Sequence, residues 1–115
     1  MSEIKVLTEK IKKFRDDRDW MQFHNHKDLA ISLVLEASEV LEHFQWKSRD
    51  EVERHGREEK EELADELADV AMFLFELVDN LGIDLPKAID TKLAKNAQKY
   101  PVKKSRGKHT KYTKL

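Results

Sequence analysis

Three glycines and two prolines are all the backbone punctuation in this chain of 115 residues, and that scarcity excludes most folds before any motif is read. A sheet protein needs a turn every few residues, built largely from Gly, Pro, Asn and Asp. This chain is rich instead in Leu, Ala, Glu and Lys, which lose little on entering a helix. It is therefore expected to be all-α. Its length and its 39% hydrophobic content suit one domain with a modest core. A domain of this size gains from burying further surface against copies of itself, so a homodimer or homotetramer is expected.

Hydrophobic spacing divides the chain into four main helices. Ile4, Leu7, Ile11 and Phe14 recur at the 3,4,3 interval of one apolar stripe, and the polar run Arg15-Asp16-Asp17-Arg18-Asp19 marks its end. Asn25 is a competent N-cap for a second helix carrying Leu29, Leu33, Ala37, Val40, Leu41 and Phe44 and ending near Trp46. From Lys47 to Gly56 the chain is polar, and Ser48 with Glu51 has the spacing of a capping box, enough to start one short helical turn. The third helix runs from about Glu58 to Leu81, apolar on nearly every side beyond Val70, with Gly82 placed to cap it. Pro86 is tolerated in a first turn, so a fourth helix starts there and stops before Pro101. The short connections imply antiparallel neighbours, hence an antiparallel helix bundle.

The formal net charge of -1 conceals a basic arm: Lys103, Lys104, Arg106, Lys108, Lys111 and Lys114 occur with no acid after Pro101. The reading is a folded body over residues 1–101 and a basic tail over residues 102–115 too polar to build a core of its own. Six basic residues on one arm of an acidic body give only salt-sensitive, non-specific attraction to nucleic acid, so no nucleic-acid role is expected. No segment approaches the length of a membrane span and the N-terminus lacks signal-peptide organisation, so no membrane partner is expected. Zero cysteines are compatible with the cytoplasm.

Two pairs of acids interrupt the apolar runs. Glu36 with Glu39, and Glu66 with Asp69, are each three residues apart, which puts both carboxylates of a pair on adjacent turns of one helix face. At roughly 100° per residue, Glu36 borders the Leu33/Val40 stripe, Glu39 lies one step further from it, and His43 falls back near Glu36. On the third helix Glu66 adjoins the Leu63/Leu67/Val70/Leu74 stripe, with Asp69 and Glu62 on the same seam. If the seams face each other, four crowded carboxylates make a hard, oxygen-rich site suited to Mg²⁺, and Mg²⁺ suggests a phosphate substrate. The same acids also suit ordinary solvated faces in a chain that is 39% charged. Zinc is not expected, with no Cys and no His-x-x-x-His pair on the seams.

The ordered pattern is more specific than either pair. Glu36-x-x-Glu39, a spacer of 26 residues, Glu66-x-x-Asp69, and then Lys92, Asn96, Lys99, Tyr100 and Pro101 together resemble the MazG-like all-α nucleoside triphosphate pyrophosphohydrolases. Arg18-Asp19-Trp20, Phe23-His24 and Phe44-Gln45-Trp46 resemble the dCTP pyrophosphatase branch. The resemblance implies Mg²⁺, with Mn²⁺ as substitute, held by Glu36, Glu39, Glu66 and Asp69. It implies hydrolysis of a nucleoside triphosphate between its α and β phosphates, dCTP or a modified dCTP favoured, in nucleotide-pool sanitation. Glu39, angularly furthest from its core stripe, is the candidate general base, although a metal-bound hydroxide needs none. Lys92, Asn96 and Lys99, spaced by four and three, share a helix face and resemble a phosphate clamp, or form a solvated helix end. Trp20, Phe23, His24, Trp46 and Tyr100 are candidates for the base pocket, with His24 and Tyr100 equally suited to structural hydrogen bonding and packing. Two other functions stay open: a non-catalytic helical module whose acidic seam holds a cation or a basic partner, and a related enzyme acting on another nucleotide.

Overall fold

Four of the helices begin where a side chain satisfies a free amide. In the computed structural model, which describes residues 2–115, Ser2 caps α1 (Glu3–Asp17) by accepting from the Lys5 amide at 3.2 Å. Asn25 caps α2 (His26–Glu42), its Oδ1 accepting from the Asp28 amide at 2.9 Å. Asp84 caps α5 (Leu85–Lys99) through the Lys87 amide at 3.2 Å, with Pro86 in the first turn. Between these lie α3 (Arg49–Glu58) and α4 (Lys60–Asn80). Gly82, at φ 69°, closes the end of α4 by donating to Asp79 O at 3.0 Å. A short α6 (Val102–Ser105) and single 3₁₀ turns at Met21–Phe23 and Tyr112–Lys114 complete the elements. Among the described residues there is no strand, and no helix is long and apolar enough to cross a membrane. The all-α expectation holds.

Two compact units divide at Gly82 and Ile83. In the first, α2 and α4 form the main helix pair, with α1 and α3 packed on α4. Leu29 of α2, 1% exposed, and Leu63 of α4 are its buried apolar residues. The second unit is Ile83–Leu115, where Tyr112 meets Tyr100 edge-on with ring centroids 5.8 Å apart, a favourable separation for an aromatic pair, and Lys99 Nζ lies 4.9 Å from the Tyr112 ring centre.

Three local expectations change. The buried face of α1 carries Thr8 and Arg15, while Leu7 and Phe14 of the anticipated stripe are exposed. The helix is turned because Arg15 is drawn inward by a buried acid on α4, Glu76, whose Oε1 lies 3.1 Å from its Nη1. The polar stretch after Lys47 forms ten residues of helix rather than one turn. Ser48 and Glu51 make the full reciprocal capping box, at 3.2 and 3.3 Å. Finally, α2 stops at Glu42, and the chain turns through Trp46, which takes φ 67°.

Candidate functional site

Because α2 and α4 pack on each other, the acids at 36, 39, 66 and 69 come together. The carboxyl of Glu36 is held above the usual carboxylate range, first by burial and then by the negative charges of Glu39, Asp69 and Glu66. Glu36, Glu66 and Asp69 are half-buried and Glu39 is exposed. Glu36 Oε2 and Glu66 Oε2 are both buried without a hydrogen-bond partner. Such orphaned acceptors are costly in a low-dielectric seam. Carboxylates that repel one another and lack donors are a donor set that fits a hard divalent cation. Among the described residues no three of the His, Asp and Glu side chains are gathered into metal-binding geometry.

A histidine pair flanks the seam. His43, at the end of α2, places Nε2 2.5 Å from Glu66 Oε2, off the line of a hydrogen bond. Its Nδ1 lies 2.6 Å from Nε2 of His55 on α3, whose ring packs edge-on against Phe44 at 5.8 Å. Sequence reasoning had His43 on the seam but missed His55. The signal was present: a capping box at Ser48 sets the phase of α3, and Val52, His55, Gly56 and Glu59 then share its half-buried face.

The aromatic candidates separate into groups. Trp20 stands edge-on to Phe14 at 5.7 Å and tilted over His24 at 6.4 Å. Arg18 lies over Phe14, 3.7 Å from its ring centre. His24 is fixed from behind, its Nδ1 at 2.8 and 2.9 Å from the two carboxylate oxygens of Glu76. Glu76 is 2% exposed and Arg15 is 6% exposed, so one buried acid orients both a guanidinium and an imidazole. Glu76 was missed, although an acid inside the apolar run Val70–Leu81 must find partners on another element. Phe23 is exposed in the 3₁₀ turn. Trp46 is 92% exposed, its indole presented to solvent from a left-handed backbone that a bulky residue rarely adopts. Lys92, Asn96, Lys99 and Tyr100 belong to the second unit, with the first three on α5.

Fold and site together define a small all-helical protein with a carboxylate seam between its two main helices. Residues 31–115 match the MazG-like family, and this chain belongs to that family. It is 43% identical over 104 residues to dCTP pyrophosphatase 1 of Rattus norvegicus, covering 89% of this chain and 61% of that protein. It is 38% identical over 104 residues to dCTP pyrophosphatase 1 of Homo sapiens, again covering 89% of this chain and 61% of the relative. The chain thus spans about three fifths of the length of these relatives. The crystal structure of a pyrophosphatase from Archaeoglobus fulgidus superposes with a TM-score of 0.84 at 37% identity, covering 88% of this chain and 94% of that one.

Proposed function

We propose that this protein is a Mg²⁺-dependent nucleoside triphosphate pyrophosphohydrolase that cleaves dCTP or a modified dCTP between the α and β phosphates, giving the monophosphate and pyrophosphate. The observation that carries the reading is the pair of buried carboxylate oxygens without partners, Glu36 Oε2 and Glu66 Oε2, in a seam of four acids. The names of the relatives and of the structural neighbour support the same reaction class. Glu36, Glu39, Glu66 and Asp69 would hold the ion. When bound, Mg²⁺ neutralises phosphate oxygens and lowers the pKa of a coordinated water. Mn²⁺ is expected to substitute.

The chain's own residues would do the rest. Glu39, the exposed acid of the four, accepts the proton of the attacking water. Lys92 and Lys99 supply point charges to the phosphates, and Asn96 an amide donor. Trp20 and Trp46 offer aromatic faces to the base, each worth about 1 to 3 kcal/mol of stacking. His24, held at Nδ1 by Glu76, and Tyr100 are further candidates to contact the base. The catalytic body is residues 1–101, with residues 102–115 as an appended basic arm.

What the chain leaves uncovered supports a homodimer or homotetramer. Val34, Leu35 and Leu41 on α2 are each more than half exposed, and Lys27, Ala30, Ile31, Val34 and Leu35 line a shallow apolar groove on that helix. Patches of this kind are usually interfaces. A cysteine-free chain suits the cytoplasm, where the nucleotide pool is found.

The substrate assignment is tested by measuring Mg²⁺-dependent pyrophosphate release from a panel of dNTPs, NTPs and 5-methyl-dCTP, with products separated by ion exchange. Fastest turnover of a cytosine deoxynucleotide is expected. Faster turnover of another base would overturn the cytosine assignment while leaving the reaction intact.

A further inference from the structure

The buried oxygen of Glu66 has a neighbour that the catalytic reading does not use. His43 Nε2 lies 2.5 Å from it, and His55 Nε2 lies 2.6 Å from His43 Nδ1. The three groups come from α4, α2 and α3 in that order. His43 has only 11% of its side chain exposed, and its ring sits 4.9 Å from that of His55. We propose that His43, braced by His55, is a positioning pair that holds the Glu66 carboxylate ready for the divalent cation. The inference rests on the reading of Glu66 as a metal ligand.

The chemistry of the contacts supports an ordered chain. A carboxylate only accepts, so the 2.5 Å approach of His43 Nε2, although off the line of a hydrogen bond, is attractive with the proton of His43 on Nε2. In a neutral His43 the lone pair is then on Nδ1, and the 2.6 Å contact is attractive when His55 donates from Nε2. In an imidazolium His43 the Nε2 proton still faces Glu66, and His55 becomes the acceptor. Nε2 therefore carries a proton on the side of Glu66 in either state.

A glutamate side chain free to rotate must be ordered when a cation arrives, at the cost of rotamer entropy. With His43 Nε2 against Oε2, the Glu66 carboxylate is kept from swinging away from the seam it shares with Glu36, Glu39 and Asp69. Partners behind a ligand commonly change metal affinity by about 10- to 100-fold. α3 thereby gains a function: the stretch between the two acidic helices carries the brace. Phe44 contributes by packing against the His55 ring, which keeps that imidazole from rotating away.

The test is Mn²⁺ affinity, read by electron paramagnetic resonance on the free protein without nucleotide. His43→Leu should weaken Mn²⁺ binding about tenfold or more with its thermal midpoint near that of wild type. His43→Gln, whose amide nitrogen occupies the place of Nε2, should recover most of the affinity. His55→Phe, which keeps the ring but removes its nitrogens, should lie between them. Wild-type affinity in folded His43→Leu overturns the proposal; if that variant does not fold, wild-type affinity in His55→Phe overturns it. Failure of the wild-type protein to bind Mn²⁺ at all would instead sink the metal-site reading itself, and this inference with it.

Discussion

Replacing Glu76 by Gln should destabilise the helical body far more than loss of a surface ion pair. Glu76 is 2% exposed, its Oε1 is 3.1 Å from Arg15 Nη1, and both its oxygens are within 2.9 Å of His24 Nδ1. The amide keeps the shape and one acceptor but removes the charge. Arg15, 6% exposed, keeps only Asp16, whose carboxylate lies 2.8 Å from its Nε. Leaving one member of a buried pair uncompensated costs about 3 to 5 kcal/mol. The surviving acceptor and the partial exposure of His24 favour the lower end, about 3 kcal/mol. For a chain of this size that corresponds to a fall in Tm of roughly 12 °C. Urea unfolding followed by far-UV circular dichroism measures it, and the double variant Arg15→Met/Glu76→Leu should recover most of the loss, since apolar groups of similar volume replace buried ion pairs at little cost. A loss in Glu76→Gln below about 1 kcal/mol, the worth of an exposed pair, would refute the claim that this cluster fixes α1 against α4.

Other outcomes follow from the same geometry. Glu36→Gln should stabilise the metal-free protein at neutral pH by removing repulsion from Glu39, Asp69 and Glu66. Because the folded pKa of Glu36 is raised, the wild type gains relative stability as pH falls through that value, fully so below the unfolded value, and the advantage of Glu36→Gln should vanish there. A constant difference across that window in parallel melts would contradict the repulsion. Ser48→Ala should cost about 1 kcal/mol by opening the capping box of α3, read by thermal melting. Trp46→Ala should raise KM for the preferred nucleotide by roughly 5- to 150-fold, the equivalent of 1 to 3 kcal/mol of stacking, with little change in kcat; an unchanged KM would remove Trp46 from the base pocket.

The scarcity of Gly and Pro, the cap at Asn25, the limits that Pro86 and Pro101 set on α5 and the period of α2 and α4 were legible because each is a local property. Asn25 and Asp84 do in the structure what their side chains do in any helix start. The partial misreading of α1 has a different cause: its inward face is chosen by Glu76, sixty-one residues away in sequence. No periodicity in residues 3–17 carries that information. α3 was under-read because its interior is polar and its half-buried positions include a histidine and a glycine. The capping box gave its start, whereas its length depends on packing against α4. The four acids were legible as two pairs from spacing alone. That they share one electrostatic environment depends on how α2 and α4 meet.

The central claim is that these four acids together make a Mg²⁺-dependent pyrophosphohydrolase. It is tested most directly by following conversion of dCTP to dCMP and pyrophosphate by wild type and by Glu36→Gln, Glu39→Gln, Glu66→Gln and Asp69→Asn, each with and without Mg²⁺. Turnover is expected only with the metal, with a loss of at least about 100-fold in every variant while helical content is retained, as when a group stabilising the transition state is removed. No turnover of dCTP or any other nucleotide by folded, metal-loaded wild type, or full activity in any of the four variants, would contradict it.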